Sequence, residues 1–244
     1  MRMSRRAALY GAGKPTAIVT LNGAVGETIS WTGEATGSVS FGSGQCAVTG
    51  IELKVGEYTF TGSVSGYSKT AAVTKNTTVV NVYPDTAIYW YGNGDASGDS
   101  LYSKCGGFSA YGWAYSGSGS ATTPVISTQA NYVQGSISGV GSSGGYCGTV
   151  SMNRAIDVSG LSTLHVVNCR NSYSGSAVSR VGVVSGGSLS SGYSFHKSAD
   201  ISSTSKVTTS LDVSGLTTCM LVNALWAGYY GGSGAVSSQI WAVY

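Results

Sequence analysis

Ile156-Asp157-Val158-Ser159-Gly160-Leu161-Ser162-Thr163 returns 55 residues later as Leu211-Asp212-Val213-Ser214-Gly215-Leu216-Thr217-Thr218. Each copy runs straight into an apolar stretch, 164–169 in the first and 219–226 in the second. An aliphatic–Asp–Val ending, a Ser-Gly reversal, a leucine and two hydroxyl residues describe one strand leaving a sheet and another entering it. Glycine takes the positive φ that the reversal needs, and the leucine is expected under the turn, closing the end of a core. The two copies therefore read as equivalent corners of one β-sandwich. A solenoid is not indicated, because the residues between the copies do not repeat.

Composition agrees with an all-β chain. Glycine supplies 37 of 244 residues, about twice the usual share, and charged residues only 9%. Low charge and abundant glycine also mark disorder, but 42% hydrophobic residues with 16 Tyr and 5 Trp are enough to build a core. Strands joined by Gly/Ser turns follow. No run suggests a helix longer than a turn or two.

The net charge of +3 is unevenly placed. Arg2, Arg5, Arg6 and Lys14 fall in the first fourteen residues without an acid, which leaves nine basic and ten acidic residues for the remainder. A nucleic-acid-binding body would need cations gathered on a folded face, and no such cluster is visible. The basic stretch reads instead as a docking arm, residues 1–14. Ser4-Arg5-Arg6-Ala7-Ala8-Leu9 is similar to a twin-arginine export core, but Gly11, Gly13, Lys14 and Pro15 interrupt the apolar region such a signal needs. No stretch approaches the roughly 18 apolar residues of a membrane-spanning helix.

From residue 15 to 83 short strands recur at even spacing: 16–21, 27–32, 37–41, 46–53, 57–65, 69–74 and 77–83. Seven strands in so short a length indicate an immunoglobulin-like sandwich. Within it, Leu53-Lys54-Val55-Gly56-Glu57-Tyr58-Thr59-Phe60-Thr61-Gly62-Ser63-Val64-Ser65-Gly66-Tyr67 resembles the L-x-x-G-x-Y-x-F-x-x-S-x-x-G-Y core of small immunoglobulin-like and PEGA-like modules. Such modules are similar to ones in bacterial surface proteins and in phage virion proteins.

Tyr83-Pro84-Asp85 marks the expected boundary, and residues 84–244 form the second domain. It opens on Ala87-Ile88-Tyr89-Trp90-Tyr91-Gly92-Asn93, an aromatic strand after a small sandwich that resembles head- and tail-associated phage proteins. Their C-terminal unit is a jelly roll similar to carbohydrate-binding modules. Strands at 125–133, 149–158, 163–169, 177–184, 206–213, 219–226 and 236–244 complete a sandwich of about eight. The resemblance implies a non-enzymatic structural protein on the virion surface, as capsid decoration, head fibre or tail component. Other virion proteins would be its partners through the arm, cell-surface glycans its weak ligands, and self-association is compatible with that setting. Assembly in the host bacterial cytoplasm would explain the lack of an export signal. The alternatives are a secreted surface adhesin and an accessory module of a glycan-active enzyme.

Aromatic side chains are the natural glycan contacts, since a ring covers the apolar face of a sugar. Tyr111, Trp113 and Tyr115 alternate with small residues and would point to one side of a strand. Tyr229 and Tyr230 stand between glycines in an expected loop. No catalytic constellation is assigned. Asp157 and Asp212 are formally a carboxylate pair of the glycosidase kind, but their matching contexts make each the cap of its own turn. Gly141-Ser142-Ser143-Gly144-Gly145 matches G-x-S-x-G without the following helix that a nucleophile elbow needs. Gly11-Ala12-Gly13-Lys14-Pro15-Thr16 lacks the first glycine of a phosphate loop and the hydroxyl residue after its lysine.

Asn93-Gly94-Asp95-Ala96-Ser97-Gly98-Asp99 holds hard oxygen ligands in a loop, without EF-hand spacing, and reads as turn chemistry. No metal or cofactor is expected. The cysteines at 46, 105, 147, 169 and 219 are scattered, and they read as small apolar strand residues. If any pair bridges, Cys105 and Cys147 are the first to test.

Overall fold

Alternation of burial along Thr16–Asn22, with Ala17, Val19 and Leu21 turned inward and Ile18 left exposed, shows how the first strand reads its sequence. In this computed structural model the described residues are 14–94, 101–113, 120–140, 146–228 and 233–244. The first unit holds β1 (Thr16–Asn22), β2 (Thr28–Gly33), β3 (Gly37–Ser40), β4 (Ala47–Lys54), β5 (Gly56–Gly62), β6 (Ser68–Val73) and β7 (Val79–Asn81). They form two facing sheets, β4-β1-β7 and β3-β2-β5-β6. All seven expected strands are present, in an immunoglobulin-like sandwich. Its core is Val19, Leu21, Ile29, Leu53, Tyr58, Phe60, Val73 and Val82. β1 runs parallel to β7, with Thr20 beside Val79 and Asn22 beside Asn81.

The second unit begins with β8 (Tyr89–Trp90), the single-turn α1 (Tyr102–Cys105), β9 (Phe108–Tyr111), β10 (Ser120–Ala121) and β11 (Val125–Thr128). It continues with β12 (Val133–Val140), β13 (Tyr146–Met152), β14 (Ile156–Asp157), β15 (Thr163–Gly175) and β16 (Val178–Ser185). It closes with β17 (Lys197–Asp200), β18 (Val207–Asp212), β19 (Thr218–Ala227) and β20 (Ser233–Val243). Two sheets are built on the orders β12-β20-β15-β18 and β13-β19-β16-β17. Numbered within that set of eight, the strands run 1-8-3-6 and 2-7-4-5, the doubled Greek key of a jelly roll. β11 and β8 extend the first sheet, while β9, β10 and β14 extend the second. Between the sheets lie Ile137, Val150, Met152, Leu164, Val166, Val181, Val183, Leu211, Leu221, Leu225, Val236 and Ile240. The chain is all-β, as its composition indicates.

The repeated octapeptide forms the two corners at which the chain changes sheet. β14 belongs to the second sheet and β15 to the first, whereas β18 belongs to the first and β19 to the second. The corners also bind each other. Val158 N–H donates to Thr217 O at 3.0 Å, and Val213 N–H donates to Ser162 O at 3.0 Å. Gly160 and Gly215 take φ of 77° and 79°. The expected plug is divided: Val158 and Val213 are fully buried, while Leu161 and Leu216 are half-buried against the core from outside. The turn lifts the leucine one step beyond the last inward position.

Three sequence expectations need correction. The stretch 125–133 is a hairpin rather than one strand, because Gln129 N–H donates to Tyr132 O and reverses the chain between β11 and β12. The stretch 149–158 is likewise two strands, β13 and β14, interrupted by a bend at Asn153 and Arg154. The five cysteines are buried, in keeping with their reading as small apolar residues, and Cys105 and Cys147 are not bridged. Cys105 ends α1 inside the inter-sheet core, while Cys147 lies in the apolar patch on the outer face of the second sheet. Finally, Tyr111 closes β9 and Trp113 lies beyond it, so no single strand carries both, although their rings do lie together on one side.

An aromatic cluster joins the two units. Trp90 packs edge-on against Tyr67 of the first unit at 5.4 Å and against Tyr244 at 5.7 Å. Tyr83, Ala24, Ala87, Tyr91, Leu101, Val167 and Ala242 fill in around it. Polar contacts flank the cluster: Val25 N–H donates to Tyr91 O at 3.0 Å, Asn93 Nδ2 donates to Gly23 O at 2.9 Å, and Lys69 pairs with Asp85. A Cβ on Gly92 would lie 1.9 Å from Ala130 O, so the backbone can approach that closely only with glycine there. On the side of the first unit, the buried carboxylate of Glu27 accepts from Ala24 N–H, Ser65 N–H and Ser65 Oγ, tying the β1–β2 turn to the β5–β6 turn.

Candidate functional site

The outer faces of the two jelly-roll sheets are finished differently. On β13-β19-β16-β17 the outer face is closed by the chain's own side chains. Cys147, Val184, Tyr193, Val222, Ala224 and Trp226 form an apolar patch, with Trp113, Leu189 and Phe195 packed over it. Tyr111 and Trp113 meet at the rim of this patch, their rings parallel within 3° and 3.9 Å apart. Thr149 Oγ1 fixes the segment by donating to Trp113 O at 2.7 Å, and it shares a hydrogen bond with the Tyr193 hydroxyl at 2.9 Å. The two rings are brought together by stacking, and both are half-buried. Tyr115, Tyr229 and Tyr230 lie outside the described residues, as do Arg2, Arg5, Arg6, the Gly141–Gly145 motif and Asp95 to Asp99.

On β12-β20-β15 the outer face is open and polar. Register aligns its outward side chains in rows across the strands. Gln134 stands beside Gln239 and Gln239 beside Cys169, Ser136 beside Ser237 and Ser237 beside Ser172, and Ser138 beside Ala235 and Ala235 beside Ser174. A bulge in β15 between Arg170 and Ser172 brings Asn171 to the same face. Hydrogen bonds run along the rows. Gln239 Nε2 donates to Gln134 Oε1 at 2.9 Å, Cys169 Sγ to Gln239 Oε1 at 3.1 Å and Asn171 Nδ2 to Ser237 Oγ at 3.3 Å, while Ser172 and Ser237 hydroxyls meet at 2.7 Å. The face is concave, with a groove of about 400 Å³ bounded on its far side by Thr122, Thr123 and Val125. Among the described residues, none of those lining it is ionisable.

One end of this face meets the junction between the units. Trp241 and Tyr132 pack with centroids 4.4 Å apart, and Lys206 lies over the rings of Trp241 and Tyr91 at 4.8 and 5.3 Å. An aromatic step therefore leads onto an amide and hydroxyl floor. Sequence reasoning missed this face. The signal was present as alternating uncharged polar residues in Gln134-Gly135-Ser136-Ile137-Ser138 and Ser237-Ser238-Gln239, but the pairing of residues 105 apart brings them together.

The carboxylates singled out in the sequence are committed to turns. Asp157 Oδ1 accepts from Ser159 N–H, and Asp212 Oδ1 from Ser214 N–H, each at 2.9 Å. Those hydrogen bonds hold both carboxyls below the usual carboxylate range, the state of a cap. Burial pushes the Cys219 thiol up to about 11, which suppresses the thiolate that nucleophilic chemistry would need. Among the described residues no group of three His, Cys, Asp or Glu side chains is placed to hold a metal ion, and no helix is long and apolar enough to cross a membrane. Lys14 pairs with Glu34 on the body of the first unit.

No family model and no curated protein matches the chain. Among solved structures it is similar to the secreted serine protease VesC from Vibrio cholerae, at 12% identity with a TM-score of 0.30, over 95% of this chain and 44% of that one. The chain thus spans less than half of that protein's length, and a likeness at this level carries no argument about fold or activity.

Proposed function

We propose that this chain is a non-enzymatic structural protein displayed on the surface of a phage particle, attached through residues 1–14 and presenting the jelly roll outward for weak glycan contact. The observation that carries the reading is the order of parts along the first unit. Residue 14 enters beside the β2–β3 and β4–β5 turns, where Lys14 meets Glu34 and Pro15 O accepts from Val55 N–H at 2.7 Å. The opposite end of that unit, at Ala24, Val25 and Tyr67, is the one packed against the second. The basic segment and the jelly roll thus emerge from opposite ends of the first sandwich, separated by roughly the 20 Å length of β1. That is the layout of an anchor, a spacer and a head. Capsid and tail positions are both compatible with it, and particle proteins are the partners it implies.

The test is incorporation. A chain lacking residues 1–13 should keep the circular dichroism of the whole protein yet fail to co-sediment with particles from which this protein is missing, whereas the full chain binds them. Full occupancy by the shortened chain would end the anchoring role.

A further inference from the structure

We infer that the open face of β12, β20 and β15 is a binding site for a neutral oligosaccharide, reached from the aromatic step at Trp241 and Tyr132. The inference rests on the glycan-contact part of the reading above and not on the location of the chain in a particle. It moves the contact away from Tyr111 and Trp113, whose rings are already stacked on each other.

Each feature of the face suits a neutral polyhydroxyl ligand better than another partner. A carboxamide offers two N–H donors and two acceptor lone pairs. Gln239 Nε2 donates to Gln134 Oε1, Cys169 donates to Gln239 Oε1 and Gln134 Nε2 donates to Ser136 Oγ, which leaves one N–H of each amide and the second lone pair of each amide oxygen for neighbouring hydroxyls of a sugar. Asn171, Ser172 and Ser237 repeat that chemistry one row further on. The fixed network holds these groups in place before a ligand arrives, which lowers the ordering cost of binding. Ser237 is only 4% exposed although it faces outward, with Gln239 buried beside it under Gln134, so it lies on the floor of a depression. Its volume of about 400 Å³ falls within the usual span for small-ligand sites.

Other occupants fit poorly. A protein interface of stable kind has an apolar, aromatic centre, and here the centre is hydroxyl and amide. Nucleic acid and anionic membrane surfaces call for clustered cations, and among the described residues none lines the groove. Tyr132 and Lys206 already pack on the Trp241 ring, so the aromatic step adds apolar ring edges, not an open ring face, beside the polar floor.

The experiment uses the full chain on a broad printed array of neutral and acidic glycans, followed by titration of the best soluble neutral hit by saturation-transfer NMR at low and high salt. We expect at least one neutral hit whose affinity changes less than about twofold with salt, since no ion pair is involved. Gln134→Ala should weaken it about tenfold, the loss expected from one or two hydrogen bonds. Ser172→Trp, which fills the groove from an exposed position, should abolish it with the thermal midpoint unchanged. Trp113→Ala should leave the affinity as it was. Binding that survives Ser172→Trp, or that is lost only in Trp113→Ala, overturns this site while leaving glycan contact in place. No hit among the neutral glycans overturns the inference, and the particle reading then stands or falls on the incorporation test alone.

Discussion

Asp157 and Asp212 show how much one side chain does in a turn. Each carboxylate accepts the N–H two residues on, and each lies below the ordinary carboxylate value because of it. A carboxyl depressed in the folded chain stabilises the fold fully above the unfolded-chain value of about 3.9. It loses that contribution as pH falls through its own lower value. An Asp157→Ala/Asp212→Ala double variant should therefore be less stable than the parent at neutral pH, with the gap narrowing as pH drops below about 4. Urea unfolding at a series of pH values measures this. A gap that stays constant across the acid range would show that the carboxylate charge is irrelevant and that only packing was lost.

At the scale of elements, the two corners form one device. Neither Gly160 nor Gly215 has an atom within 4 Å of an added Cβ, so alanine there would meet only the backbone penalty of a positive φ. Gly160→Ala and Gly215→Ala should each cost about 1 kcal/mol. The corners donate to each other's carbonyls, so the double variant should lose less than the sum, by about 0.5 kcal/mol or more. Strict additivity in denaturant titrations would mean the corners act separately. The corners were legible because local sequence alone builds them, and the seven strands of the first unit because turn residues separate them cleanly. The β11–β12 hairpin was not, since the turn around Ala130-Asn131 carries no glycine or proline within an otherwise strand-like run. The polar face was hidden for a different reason. Ser and Gln on alternate strand positions look like any solvated surface until β12, β20 and β15 are laid side by side, and the closing of the other sheet by Trp226, Tyr193 and Phe195 is likewise a property of pairing.

Over the whole molecule, the aromatic junction decides whether two sandwiches behave as one body. Trp90 touches Tyr67 from one side and Tyr91 and Tyr244 from the other, and it is buried. Its removal should cost about 3–5 kcal/mol of coupling and packing. Calorimetry of the parent should show one joint transition and that of Trp90→Ala two separated ones. A single transition shifted as a unit would mean that the polar contacts at Val25, Asn93 and Lys69 suffice to keep the units coupled.

The parallel pairing of β1 with β7 has a mechanical side. The first strand of this unit receives any pull from the N-terminal side, and the last passes it on toward the jelly roll. Because the two lie side by side in the same direction, tension drags them past one another along their length. The bonds Thr20 N–H to Thr78 O and Val82 N–H to Asn22 O, both 2.8 Å, are then strained together and not peeled one after another. A domain joined this way is loaded in shear when its two ends are pulled apart, with both bonds resisting at once.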